Sequence, residues 1–144
     1  MGETLCGQEL GKVVTTVDRD EAVGSTIGEV VNIVKHFNRE FVTDGNEGEQ
    51  SWNSCSVVVG LHPDEATEDI VDLALEYAKP FAVVPCCVFW KTNVHRRVEG
   101  SSGKEETVKT WDQFVDYLAS KHPLIRRHNL PIEGRGVVLY YFPH

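Results

Sequence analysis

Apolar positions along the chain follow two rhythms. Continuous runs at Ser56–Leu61 (SVVVGL) and Phe81–Val84 (FAVV) predict strands covered on both faces, since a strand with one wet face alternates. Lys12–Val17 (KVVTTV) is β-branched and ends at Asp18, which predicts a further strand. Glu40–Thr43 reads as a short one. Helical spacing occurs three times. Thr26 and Glu29 stand at capping-box separation, and Ile27, Val30, Val31, Val34 and Phe37 follow at helical intervals. After the first apolar strand, Ala66, Ile70, Leu73, Ala74 and Tyr77 form a stripe, with Asp64 as N-cap and Pro80 as stop. The third helix has the clearest signal. Thr110 and Gln113 make a capping box, Trp111, Phe114, Val115 and Leu118 the buried face, and Pro123 the terminator. The tail predicts two strands, about 125–132 and 137–142, joined through Glu133-Gly134-Arg135-Gly136 as an antiparallel hairpin. Thr43–Asn53 and Glu99–Glu106, rich in Gly, Ser and charge, predict surface loops.

Strand–helix alternation of this kind predicts an α/β fold: a Rossmann-like, mostly parallel sheet with helices on both faces, extended by the C-terminal hairpin. A length of 144 residues suits a single domain. Apolar residues make up 41 % and charged residues 25 %, which excludes a disordered chain. No apolar run approaches bilayer length, so no membrane partner is expected. The opening MGETLCGQEL lacks a basic region followed by an apolar stretch, so no secretory signal is expected.

The net charge of −8 disfavours a general nucleic-acid ligand, because phosphate contacts need clustered cations. Residues 121–128 (KHPLIRRH), with Arg135, form a local basic segment, either a solvated face or an anion site. The cysteines are Cys6, Cys55, Cys86 and Cys87. The count is low for a disulfide scaffold, which predicts a reducing intracellular compartment: cytoplasmic, or organellar if a presequence was removed.

Leu61-His62 closes one apolar strand, and Pro85-Cys86-Cys87 follows the next. With the TWDQFVDYL helix and the LPIEGRGVVLYYF tail, these segments resemble the second half of class I S-adenosylmethionine-dependent methyltransferases. The resemblance covers roughly residues 55–142. It implies a Rossmann-like sheet with an antiparallel last strand, S-adenosylmethionine as cofactor, and methyl transfer to a nucleophilic atom. It places Leu61 and His62 against the cofactor and the substrate-facing motif at His62, Pro63, Asp64 and Glu65.

The residues themselves admit both chemical and structural readings. His62 could act as general base with Asp64 orienting it, or Asp64 could merely cap a helix above a packed His62. Cys86 or Cys87 could be a nucleophile if a cation stabilised its thiolate, or a small buried hydrophobe. A zinc site from Cys86, Cys87, His62 and His95 lacks ordinary ligand spacing, and no metal is expected. Arg96, Arg97 and Arg135 are candidates for an anionic group, and Trp90 for stacking on a base.

One departure from the family pattern sets the alternative. The glycines nearest a cofactor turn, in Leu5-Cys6-Gly7-Gln8-Glu9-Leu10-Gly11, lie too close to the N-terminus to follow a full strand. If Lys12–Val17 is the family's second strand, Asp18 matches the acid that binds the cofactor's ribose, and the central first strand is missing. If it is the first, Asp18–Ser25 replaces the glycine turn. A sheet without its central strand must re-pair or borrow a strand from another chain. The second expectation is therefore a non-catalytic interaction or structural subunit of a larger assembly, with a protein partner or a homodimer.

Overall fold

The computed structural model describes residues 12–16 and 30–144. Asp18, the Leu5–Gly11 stretch and the Thr26–Glu29 cap lie outside the described residues. Strands β1 (Lys12–Thr16) and β2 (Val30–Val34) form a separate antiparallel pair, Lys12 opposite Val34 and Thr16 opposite Val30. The helix expected through Val30, Val31 and Val34 is thus a strand. Those valines satisfy both periods, and the β1 ladder with β-branched side chains selects the extended form.

Two short helices follow, α1 (Arg39–Val42) and α2 (Glu47–Ser54). Both correct the sequence reading, which placed a strand and a loop there. Asn38 caps α1, accepting from the Phe41 amide at 3.0 Å. Asp44 Oδ1 accepts from the amides of Asn46 and Glu49 at 2.7 and 3.1 Å and so organises the start of α2. The helix α2 buries only Gly48 and Trp52, too few apolar positions to show a period. Trp52 packs on Phe37 and Tyr77 at ring separations of 5.7 and 5.5 Å, fastening this N-terminal layer to the rest of the core.

The main sheet has four strands in the order β3–β4–β8–β7: β3 (Val58–Leu61), β4 (Phe81–Val84), β7 (Arg126–Asn129) and β8 (Val137–Tyr141). The β3–β4 pairing is parallel, and β8 is antiparallel to both neighbours. The sheet is therefore mixed, with β3, β4 and β7 running one way and β8 against them. A three-residue 3-10 turn (Asp64–Ala66) and α3 (Thr67–Glu76) connect β3 to β4. A small antiparallel pair, β5 (Arg97–Glu99) and β6 (Glu105–Thr107), takes up part of the expected Glu99–Glu106 loop. Helix α4 (Trp111–Ser120) starts at the Thr110–Gln113 capping box and buries Phe114, Val115 and Leu118.

Register sorts the sheet residues by face. Val58, Gly60, Phe81, Val83, Leu139 and Tyr141 share one face. This face joins Ile70, Leu73, Phe114 and Leu118 in one apolar cluster. Gly60 lies so close under α3 that a Cβ there would meet Ile70 Cδ1 at 3.0 Å. The opposite face is bare at β3, where Val59 and Leu61 are 70 % and 69 % exposed. The expectation that Ser56–Leu61 is covered on both faces is corrected here. A run of valines looks the same whether or not a layer lies over its second side. No helix among the described residues is long and apolar enough to cross a membrane.

Candidate functional site

Parallel pairing delivers the turns after β3 and β4 to the same end of the sheet. His62 continues the ladder, its amide donating to Val84 O at 3.1 Å. Beyond it the backbone turns sharply: His62 and Asp64 both adopt positive φ, +49° and +50°. Two non-glycine residues in the left-handed region within three positions is a local cost that the surroundings must hold in place. Thr67 Oγ1 helps, donating to Asp64 O at 2.8 Å. The same turn leaves His62 and Glu65 exposed and Pro63 and Asp64 half-buried, while Leu61 lies open to solvent.

From the turn after β4, the Cys86 thiol donates to Asp64 Oδ1 at 3.0 Å, so the two turns touch. Burial first, then the Asp64 carboxylate, push this thiol up to about 11. Cys86 is therefore a protonated, hydrogen-bonded group at neutral pH, the opposite of a cation-stabilised thiolate. Cys87 is disulfide-bonded, against the expectation of reduced cysteines throughout, and Cys86 keeps its thiol. Donor atoms of Asp64, Cys86 and Cys87 lie within 4.8 Å of one another. His62 and His95 are not in that group, and His95 Nε2 instead lies 3.2 Å from Glu68 Oε2. The turn after β4 is fixed by Trp111 Nε1, which donates to Pro85 O at 3.0 Å, and by Arg135 Nη1, which donates to Cys86 O at 2.6 Å.

Sequence reasoning missed the centre of charge beside this cleft. Glu68, 8 % exposed in the first turn of α3, accepts from Arg96 Nε at 2.6 Å, Tyr117 Oη at 2.6 Å and Lys121 Nζ at 2.9 Å. Arg96 is 2 % exposed, stacks 4.5 Å over the Phe114 ring and donates to Val88 O at 2.6 Å. Lys121 also reaches Asp72 at 2.8 Å. Burial alone would raise the Glu68 carboxyl, but the donated hydrogen bonds and the Lys121 charge outweigh it and hold the group at about 2. Only the Glu68–Asp72 and Tyr117–Lys121 helical spacings could have hinted at the cluster.

The arginines expected at an anion are internally committed. Arg96 serves Glu68, Arg97 donates to Thr107 Oγ1 at 2.8 Å, and Arg135 serves the Cys86 carbonyl. In the basic segment, Lys121 is an ion-pair partner and Arg127 meets Asp116 at 2.8 Å. Trp90 is 39 % exposed, with Lys109 and Lys91 Nζ at 5.3 and 5.8 Å from its ring centre. Compared with known protein families, curated proteins and solved structures, the chain matches none.

Proposed function

We propose that this chain is a methyltransferase-like α/β domain, with its cleft at the C-terminal ends of β3 and β4. In this reading the cleft takes S-adenosylmethionine or a related nucleotide, with Leu61 and His62 against the ligand; β1 pairs antiparallel with β2 in a separate sheet, so the match of Asp18 to a ribose acid loses its strand. The observation that carries it is strand order: β8, reversed, lies between β4 and β7, which share a direction. An antiparallel last strand is what the class I resemblance implies, and ligands of Rossmann-like sheets bind outside the carboxyl ends of their strands. The paired positive-φ residues His62 and Asp64 at that end add support.

A second reading has its own observation. The polar groups of the cleft are spent on one another, Cys86 on Asp64 and Arg135 on the Cys86 carbonyl. Among the described residues no strand lies beyond β3, where a complete sheet would carry the glycine turn. This favours a domain that keeps the fold as an interaction or structural subunit and transfers no methyl group. Calorimetry with S-adenosylmethionine and S-adenosylhomocysteine separates the two. The ligand reading requires binding that His62→Ala weakens. An absence of heat up to millimolar ligand eliminates it and leaves the subunit reading.

A further inference from the structure

The main sheet ends in two unlike edges. At one, β7 exposes Arg126 and Arg127, a positive pair that repels a second copy of itself. At the other, β3 has no charged residue and no proline between Ser56 and Leu61. The amides of Val58 and His62 point inward, donating to Pro80 O at 2.9 Å and Val84 O at 3.1 Å. Strand alternation therefore turns the amides and carbonyls of Val59 and Leu61 outward. No strand meets them there among the described residues. Beside this open ladder stand Val57, Val59 and Leu61, 48 %, 70 % and 69 % exposed on the bare face. An unpaired ladder selects a β-strand as its cover, since a helix or a smooth apolar surface would leave its donors unmet.

We propose that β3 pairs antiparallel with β3 of a second copy about a two-fold axis at Val59. The segment is its own complement in that register. Val59 faces Val59, and Val57 faces Leu61 twice, so three apolar side chains from each copy line one strip. Ser56 meets His62 at the ends, and no like charges come opposite one another. A two-fold axis also uses up both open edges at once, whereas a head-to-tail arrangement leaves one exposed at each end. A five-residue ladder from Val57 to Leu61 spans about 17 Å. The contact is accordingly smaller than the roughly 1,200 Å² of a standard interface, and the dimer belongs to the weak, about micromolar class. Nothing in this pairing depends on a ligand in the cleft.

Sedimentation velocity on the full chain without ligand, from roughly 5 to 500 µM to bracket a micromolar constant, tests it. The expected result is a concentration-dependent rise from monomer to dimer. Val59→Lys and Val59→Glu should each weaken association about tenfold or more, by setting like charges opposite. Circular dichroism and melting should stay unchanged, because the side chain is 70 % exposed. An equimolar mixture of the two variants should regain association, since opposite charges then face across the axis. A wild-type chain that stays monomeric overturns the proposal. So do single variants that dimerise undiminished, or a mixture that gains nothing over either variant alone.

Discussion

Arg96 Nε meets Glu68 Oε2 at 2.6 Å in a pair that solvent barely reaches, the two residues being 2 % and 8 % exposed. The bond ties the first turn of α3 to the segment leaving the cleft, and Tyr117 and Lys121 bind α4 to the same carboxylate. Three elements distant in sequence thus share one charge centre. Breaking such a centre by removing one partner leaves a buried charge uncompensated, which costs more than the intact pair contributes.

Arg96→Ala is therefore expected to destabilise the domain by about 3–5 kcal/mol, measured by urea denaturation. Arg96→Lys should recover little. A lysine has no planar fork to reach both Glu68 and Val88 O while stacking on Phe114. Full stability in Arg96→Lys would show that charge alone matters at this position.

The depressed Glu68 group also sets a pH dependence. Its carboxyl sits at about 2 in the fold against an ordinary value of 4.5. A group depressed by folding contributes stability that is present above its unfolded value and lost as pH falls through the folded one. The contribution is about 3 kcal/mol, withdrawn between about pH 4.5 and pH 2. In a series of urea titrations across that window, the wild type should lose stability more steeply than Glu68→Gln. Parallel slopes would mean that Glu68 is not the group responsible.

Cys86 should be a slow thiol. With its proton held up to about 11, the thiolate fraction at neutral pH is roughly 100-fold below that of a free cysteine. Alkylation by iodoacetamide, read peptide by peptide so that Cys55 is counted separately, should be slow at pH 7 and accelerate only above pH 10. Asp64→Asn should bring that acceleration to lower pH. The shift should be partial, because burial is the larger cause. Asparagine tolerates the +50° φ of this position, so the turn survives the change. Fast labelling of wild-type Cys86 at pH 7 would revive it as a nucleophile.

What could be read from the chain follows how local each determinant is. Strand β4 and helix α4 were legible because FAVV and the Thr110–Gln113 box carry their own signals within a few residues. Strand β2 was not, because Val30, Val31 and Val34 fit both periods and the deciding partner, β1, is remote. The strand–helix–strand pattern is enough to imply the parallel pair that brings the turns at His62 and Cys86 to one end. Their chemistry was not legible: it depends on Asp64 standing 22 residues from the thiol it raises. Nothing local marks Glu68, since its partners Arg96, Tyr117 and Lys121 lie 28, 49 and 53 residues away. Nor does sequence separate an apolar strand that is covered from one whose cover is absent, as Val59 and Leu61 demonstrate.

Gly48 offers a case where two rules oppose and magnitude decides. It lies inside α2, where replacing glycine by alanine ordinarily gains about 1 kcal/mol of helix propensity. Here a Cβ would sit 2.4 Å from Phe41 O and 2.9 Å from both Asp44 Oδ2 and Phe41 Cδ2. The first contact is backbone, and relieving it requires α1 and α2 to separate. Overpacking of that kind costs about 1–3 kcal/mol, and the Asp44 hydrogen bonds to Asn46 and Glu49 would be disturbed with it. Gly48→Ala is therefore expected to lower stability by up to about 2 kcal/mol net, seen as a lower urea midpoint at unchanged slope. The exposed Gln50→Ala in the same helix is the control and should stay within about 0.5 kcal/mol of wild type. If Gly48→Ala were instead the more stable of the two, the close approach of α1 to α2 would not exist in solution.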